Sequence, residues 1–469
     1  MAAGQGSARP YSPSARILSP TGANTLCFIS DDDRSTIVFF PEGAFGPTNN
    51  CVGIGDVLRR RGHRVVFVVE ESFAGTLEAK GFEERLMRLA PAPEQPEEPG
   101  QFWKEFIRDT APVFRQSTIE QLGSFIAPTW QALLEGARYV DERLCEIFDE
   151  VEPDAIVEDN VCAFPAIPAS GRPWARIVSC NPLELKDPEL PPTFSGLPLE
   201  DRSGWEGFRA EYDRQVGAMQ ADFSAFCVQR GAPPLPPPEM IHESPWLNLL
   251  LYPAELDYPR SRPLAATWCN LETCVRSTDA PWTPPQRNGR ALVYVSLGSL
   301  GSADVPLMER LVELLALTPH RYIVSKGPQH DEYGVAGDMI GEEFLPQTSL
   351  LPHVDAVITH GGNNTVTECM WFGKPMIVLP IFWDQHDNGQ RLDETGYGVR
   401  LPTYSLTEEE LAAALIRVLT DEMLRSRCAA AGERLRRRPG TVVAADLIER
   451  VAATGEVAAF GAALSASRA

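Results

Sequence analysis

The first apolar run of the chain, Thr36–Phe40, is short and rich in β-branched and aromatic residues, which is typical of a buried strand. The stretch after it, Pro41–Asn50, is rich in Gly, Pro and Asn and predicts a loop. Apolar residues at helical spacing in Cys51–Arg61 predict a helix, and Val65–Val69 is a second buried strand. Strand, helix and strand in this order predict the opening unit of a doubly wound domain.

The same pattern begins again past the middle of the chain. Ala291–Gly298 is a buried strand, and Asp355–Thr359 is another that runs into a pair of glycines. A helical pattern starts at Asn363–Thr365 and stops at Gly373, and Met376–Leu379 is the next strand. The first backbone N–H groups of such a helix are unpaired and lie at the positive end of its dipole, so this turn predicts a phosphate site.

Two doubly wound units therefore account for most of the chain, and the predicted fold class is α/β. Pro-rich sequence predicts an extended linker between the units, and the Ser-, Pro- and Gly-rich start predicts a mobile tail. The predicted segments are a tail at 1–34, a Rossmann-like domain at 35–250, a linker at 251–290, a second Rossmann-like domain at 291–438 and a C-terminal helix at 439–469.

Composition narrows the classes of partner. The chain has 469 residues and a net charge of −22, so it repels nucleic-acid polymers and anionic membranes. No apolar run reaches the roughly 20 residues of a membrane span, and no signal-peptide pattern opens the chain. Its ten cysteines include no CxxC pair, which predicts reduced thiols, no metal site and a cytoplasmic protein.

Residues 344–388 contain the most informative motif. In order and spacing its positions resemble the nucleotide-sugar signature of family 1 glycosyltransferases, the UDP-glycosyltransferases. The resemblance implies the GT-B fold, in which two facing Rossmann-like domains enclose a cleft and a C-terminal helix crosses back onto the first domain. The matching positions are Phe344, Pro346, Gln347, His360, Gly362, Asn364, Thr365, Glu368, Pro380, Asp384, Gln385 and Asn388.

The resemblance also implies a role for each donor-binding residue. Phe344 stacks on a uracil ring, Gln347 bonds the edge of that ring, and Glu368 accepts hydrogen bonds from the ribose hydroxyls. Taken singly, each of these residues could equally be a core residue, a helix cap or a loop residue; the complete set favours the donor site. The remaining donor-binding residues are Gly298, Ser299, His360, Gly362, Asn364 and Thr365 at the diphosphate, and Asp384 and Gln385 at the sugar.

The chain departs from the family at the catalytic base. The family carries a histidine in the loop after the first strand, and Pro47 stands in its place here. Proline cannot accept a proton, and general-base help is worth about 10²–10⁴-fold in rate. Asp159 follows the strand where the family has the acidic partner of that histidine, and an ordinary carboxyl is ionised at neutral pH. Asp159 is therefore the first candidate base and Glu42, at the end of the first strand, is the second.

The predicted function is transfer of glucose or a similar hexose from a UDP-sugar to a hydroxyl of a small acceptor, with inversion. The acceptor is expected to be a natural product such as a macrolide, polyketide or nucleoside. No cofactor or metal is expected, because the helix end and His360 can neutralise the leaving diphosphate. The protein is expected to be a monomer or homodimer. The alternative is an inactive homologue that acts as a binding or auxiliary partner, since Pro47 removes the usual base.

Overall fold

The computed structural model describes residues 34–91 and 109–457. Of the predicted tail at 1–34, only Arg34 is among them, and residues 458–469 of the predicted C-terminal segment also lie outside the described residues. The nine cysteines in the described part are free thiols.

The chain forms two separate parallel sheets, one in each half. The first sheet has the strand order β3-β2-β1-β4-β5-β6-β7 and the second has the order β10-β9-β8-β11-β12-β13. The strands of the first sheet are β1 Thr36–Pro41, β2 Arg64–Glu70, β3 Glu83–Met87, β4 Ala155–Asp159, β5 Trp174–Val178, β6 Leu247–Leu250 and β7 Trp268–Asn270. Those of the second are β8 Leu292–Ser296, β9 Arg321–Ser325, β10 Ile340–Glu342, β11 Ala356–Thr359, β12 Met376–Val378 and β13 Gly398–Arg400.

Helices cover both faces of each sheet, which is why central strands such as β4, β5 and β8 are buried along their whole length. The longer helices are α1 Phe45–Arg60, α2 Ala127–Val151, α3 Trp205–Gln229, α4 Val305–Ala316, α5 Asn363–Trp371, α6 Gln385–Thr395, α7 Glu408–Thr420, α8 Glu422–Arg436 and α9 Gly440–Thr454. Shorter helical turns are Glu71–Phe73, Glu78–Lys80, Val113–Arg115, Thr118–Gln121, Leu122–Ile126, Ala166–Ala169, Pro182–Glu184, Gly298–Gly301, Gln347–Leu350 and Leu351–His353. The α/β class with two Rossmann-like domains is confirmed.

Helix α9 joins the end of the described chain to the first domain. Its buried residues Ala444, Ala445 and Ile448 belong to the same core as α1 and the first sheet. Its Glu449 accepts a hydrogen bond from Arg61 at 2.8 Å and lies 2.9 Å from His63. The second domain is therefore tied to the first by both a core contact and an ion pair.

Two element boundaries differ from the sequence prediction. Helix α1 begins at Phe45, so the predicted loop Pro41–Asn50 ends six residues early and the predicted helix start at Cys51 is wrong. The predicted linker at 251–290 contains β7, which pairs with β6 and completes the first sheet.

Candidate active site

The turn after β11 places His360 against two glycines. A Cβ on Gly298 would lie 2.8 Å from the imidazole ring and one on Gly362 would lie 2.4 Å from it, so only glycine fits at these positions. Ser299 follows Gly298 in a one-turn helix after β8. Burial lowers the pKa of His360 to about 4, so its ring is neutral at neutral pH. The expectation that His360 neutralises a diphosphate is thereby corrected: it can give a hydrogen bond but no positive charge.

Helix α5 begins directly after this turn, with Asn364 and Thr365 in its first turn and no side chain capping it. Asn363 Nδ2 donates to the backbone oxygens of Ser179 at 2.7 Å and Leu251 at 3.0 Å. The start of the helix is thus anchored to the first domain. Its positive dipole end and uncapped amides face the cleft side of the sheet, where an anion is favoured.

Glu368 lies one turn into α5 and is 1% exposed. Its Oε1 accepts from Arg276 Nη1 at 2.6 Å and from Asn364 Nδ2 at 3.2 Å. Its Oε2 accepts from Gln347 Nε2 at 2.6 Å. The carboxylate is therefore held in a single orientation beside the predicted diphosphate position.

Gln347 and Phe344 differ in exposure. Gln347 is buried and its side-chain carbonyl accepts from the Tyr294 hydroxyl at 3.2 Å, so both ends of its amide are engaged. It braces Glu368, whereas the sequence predicted that it bonds the edge of a base. Phe344 is 53% exposed, so its ring is accessible to a planar ligand, as the prediction requires.

Asp384 is buried and lies immediately before α6, in the segment that follows β12. Its Oδ2 accepts from the backbone N–H of Asn181 in the first domain at 2.9 Å and from Asn388 Nδ2 at 3.2 Å. Burial raises the pKa of Asp384 to about 7, and the charge of Glu184 adds to the shift. Gln385 Oε1 accepts from two backbone N–H groups of the preceding turn at 3.0 and 3.2 Å, so it shapes that turn.

The two candidate bases lie together at the ends of β1 and β4. The backbone N–H of Glu42 donates to the Asp159 carbonyl at 2.9 Å. Asp159 is 2% exposed, and its Oδ1 accepts from Ser179 Oγ at 2.6 Å. Burial raises the pKa of Asp159 to about 8, so it is mostly protonated at neutral pH and the expectation of an ionised carboxylate there is corrected.

Glu42 has a different environment. It is partly buried, and burial raises its pKa to about 7, with the charges of Glu184 and Asp384 adding to the shift. Glu42 therefore lies close enough to the predicted sugar end of the site to interact electrostatically with Asp384. A carboxyl with this pKa is substantially ionised at neutral pH and can also bind a proton there.

Pro47 lies in the first turn of α1, on the side of the cleft that faces α5. A Cβ on the neighbouring Gly46 would lie 3.6 Å from Cβ of Asn364. The structure therefore brings the Pro47 turn to the start of the candidate donor helix, but the pyrrolidine ring offers no group that accepts a proton.

A small cavity of about 10 Å³, room for about one water molecule, lies beside Asp384. One wall is aromatic: the Trp383 ring lies 4.4 Å from that of Phe194 and 5.2 Å from that of Trp130 between centroids. Trp383 has φ of 56°, a strained backbone conformation for a bulky residue. The cavity also has charged lining residues, namely Glu184, Lys186 and Glu239.

Sequence reasoning missed several residues of this site. Arg276 lies in the predicted linker, and Glu184, Asn181 and Trp383 belong to no position of the motif that was used. No local pattern marks Arg276, because its partner is 92 residues away. Asn363 could have been found, since it immediately precedes Asn364 at the predicted helix start.

The described part of the chain has neither a candidate metal site nor a candidate membrane span. Within residues 34–91 and 109–457, no group of three or more His, Cys, Asp or Glu side chains is arranged to hold a metal ion. No helix in the same ranges is both long and apolar enough to cross a membrane.

Comparison with known proteins agrees with this geometry. The model of the UDP-glucoronosyl and UDP-glucosyl transferase family matches residues 247–430. Demethyllactenocin mycarosyltransferase of Streptomyces fradiae is 25% identical over 423 residues, which cover 88% of this chain and 86% of that protein. The solved glycotransferase of kitacinnamycin has a TM-score of 0.65 at 21% identity, covering 89% of this chain and 98% of that one. Spinosyn rhamnosyltransferase SpnG, solved with thymidine diphosphate, has a TM-score of 0.57 at 18% identity, covering 88% and 99%.

Two facing Rossmann-like domains, with the motif residues gathered between them, define the GT-B fold. The family match and the curated relatives indicate a glycosyltransferase. Within that class the chain is similar to family 1, the UDP-glycosyltransferases, whose model matches residues 247–430.

Proposed function

We propose that the enzyme transfers glucose or a similar hexose from a UDP-sugar to a hydroxyl of a small natural product, with inversion. The observation that carries the proposal is the single row formed by Glu368, the uncapped start of α5 and Asp384. In that order, Glu368 would bind the ribose, the start of α5 the diphosphate, and Asp384 the sugar. The carboxylate of Glu368 and the Asn364–Thr365 pair favour UDP over thymidine diphosphate as the donor nucleotide.

The donor would be held by hydrogen bonds and by the helix dipole. The first amides of α5 and the neutral imidazole of His360 would donate to the diphosphate, together with the segment at Gly298 and Ser299. Phe344 would stack on the uracil ring, and Asp384 and Gln385 would bind the sugar hydroxyls. The backbone bond from Asn181 to Asp384 engages one carboxylate oxygen, which leaves Oδ1 for the sugar.

In the transfer step, the acceptor oxygen would attack the anomeric carbon from the face opposite the diphosphate. The new C–O bond forms as the bond from that carbon to the phosphate oxygen breaks, and UDP leaves with the electron pair. The acceptor proton would go to Glu42, whose pKa of about 7 suits a general base. Asp159 remains the second candidate and, being largely protonated, could hydrogen-bond to ionised Glu42 or to the acceptor.

The acceptor would bind beside Asp384 by moving apart the side chains that line the small cavity there. The aromatic wall of that cavity suits the flat face of a ring, while the ion pairs Arg176–Glu184 at 2.8 Å and Lys186–Glu239 at 3.7 Å make the rest of the lining polar. A polar acceptor is therefore favoured over a hydrocarbon such as a sterol or carotenoid. The similarity to a mycarosyltransferase supports a natural product.

The experiment is an acceptor screen with UDP-glucose, in which mass spectrometry detects a hexose gain and NMR assigns the anomeric configuration. We expect a β-linked product from the α-linked donor and faster transfer to polar acceptors than to apolar ones. An α-linked product would contradict inversion, and no release of UDP with any acceptor would favour the inactive homologue.

A further inference from the structure

Arg276 is a buried arginine that no part of the nucleotide-sugar motif contains. Its side chain is 9% exposed, and Nη1 donates to Glu368 Oε1 at 2.6 Å. Nε and Nη2 donate to the two oxygens of Asp279 at 2.7 and 2.8 Å. Asp279 in turn accepts from the backbone N–H and the hydroxyl of Thr348 at 3.0 and 2.9 Å. Asp279, itself held by Thr348, therefore fixes the orientation in which the guanidinium binds Glu368.

The hydrogen bonds that Glu368 already accepts leave part of its acceptor capacity for a ribose. Each carboxylate oxygen can accept about two hydrogen bonds. Oε1 accepts from Arg276 and Asn364, whereas Oε2 has Gln347 as its partner. One acceptor position therefore remains on Oε2, and a second is released on Oε1 when the Asn364 amide turns to a diphosphate. A carboxylate held in this way can accept from two ribose hydroxyls at once.

We propose that Arg276 is the positioning residue of the donor site: it holds the Glu368 carboxylate in the orientation that accepts from the ribose, and so makes the site prefer a ribonucleotide over its 2′-deoxy form. The inference rests on the proposed assignment of Glu368 to the ribose. Arg276 itself contacts Glu368, Asp279 and no motif position other than Glu368 in the described bonds.

The charges around Glu368 give the role of Arg276 a second consequence. Asp279 is the second carboxylate that the Arg276 guanidinium binds, and burial raises the pKa of Tyr294 and of Cys369, so both are neutral near pH 7. Among the described residues, the ion pair to Glu368 comes from Arg276. Without that cation, only the side-chain amides of Gln347 and Asn364 orient the buried carboxylate of Glu368.

The test compares the binding of UDP and of 2′-deoxy-UDP by calorimetry at neutral pH. The wild type is expected to bind UDP about tenfold or more tightly than 2′-deoxy-UDP, the value of one hydrogen bond to a charged group. Arg276→Gln should lower UDP affinity about tenfold or more and affect 2′-deoxy-UDP less, so the preference shrinks.

Arg287→Gln is the matched control, because Arg287 lies on the same segment and pairs with Asp355 of the same domain at 2.6 Å. It should leave both affinities unchanged. Arg276→Lys keeps the positive charge but loses the planar guanidinium that binds Glu368 and Asp279 together. Thermal melting verifies that each variant is folded. If Arg276→Gln does not fold, an intermediate preference in Arg276→Lys supports the role and an unchanged one overturns it.

The outcomes separate this inference from the proposed function. Equal losses for both nucleotides in Arg276→Gln, or no loss for either, overturn the role of Arg276 while the donor site stands. Equal binding of the two nucleotides by the wild type overturns both the role of Arg276 and the assignment of Glu368. A wild type that binds no UDP at all contradicts the proposed function itself.

Discussion

At the scale of single residues, the two carboxyls at the ends of β1 and β4 differ in their burial and in their partners. Asp159 is buried, bonded to Ser179 and mostly protonated at neutral pH. Glu42 is partly buried and interacts with the charge of Asp384, which places it nearer the reacting end of a bound sugar. The proposed function therefore takes Glu42 as the base ahead of Asp159, the residue that the sequence analysis placed first.

Glu42→Gln should lower kcat about 10²-fold or more, because the amide keeps the shape but cannot take the acceptor proton. In the wild type only ionised Glu42 is active as a base, so kcat/KM should rise with pH and level off above about 7. Steady-state kinetics across pH check both effects, with UDP affinity as the control for an intact donor site.

Asp159→Asn gives the matched comparison for that experiment. We expect a smaller loss, since the wild-type side chain is already largely neutral. Near-wild-type turnover in Glu42→Gln together with a large loss in Asp159→Asn would return the base to Asp159.

At the scale of elements, the sequence predicted most strands and the donor helix but misplaced the start of α1. The segment Phe45–Asn50 contains Gly, Pro and Asn, which are typical of a loop. Pro47 is the third residue of α1, where a backbone N–H would have no partner within the helix, so its missing donor costs little. Gly, Pro and Asn are typical of loops but are also tolerated in the first turn of a helix, so the sequence pattern could not distinguish the two.

Long-range contacts set the limit on what the sequence could predict at the site. The motif identified Glu368 and Asp384 because their order along the chain is local. Neither the Arg276 ion pair nor the bond from Asn181 to Asp384 has a local signature, because each joins segments far apart in sequence. Likewise β7 is a three-residue strand in Pro-rich sequence, and its pairing with β6 reveals it.

The start of α9 offers an element-scale prediction. A Cβ on Gly440 would lie 2.0 Å from the backbone oxygen of Thr273, so Gly440→Ala must displace the helix from the first domain. We expect a loss of several kcal/mol or more in unfolding free energy, beyond the about 1–3 kcal/mol typical of overpacking. Chemical denaturation measures the change.

The control is Gly217→Ala in α3, where the position is exposed and a Cβ meets nothing within 4 Å. There alanine should stabilise the helix by up to about 1 kcal/mol. Similar stability in the two variants would contradict the close packing of α9 on the segment before β8.

At the scale of the whole molecule, buried acids make stability depend on pH. Burial raises the pKa of Glu42, Asp384 and Asp387 to about 7, and of Glu158 and Asp159 to about 8. The unfolded chain releases these protons near pH 4, and the folded chain keeps them to higher pH. Folding therefore binds protons between those values, and stability falls as pH rises through this range.

We predict a higher melting temperature near pH 5.5 than near pH 8, with the net charge of −22 acting in the same direction. Asp387→Asn, which removes one of these carboxyls, should reduce the slope. A melting temperature that is flat or rises toward pH 8 would show that the buried acids are not held protonated by the fold.

The central claim concerns the whole cleft: UDP binds at the start of α5 with its ribose on Glu368. The most direct measurement is the UDP affinity of the wild type and of Glu368→Ala by calorimetry, with the exposed helix residue Glu409 replaced by alanine as a control. The account predicts a loss of about 1–3 kcal/mol for Glu368→Ala and none for Glu409→Ala. An unchanged UDP affinity in folded Glu368→Ala would contradict it.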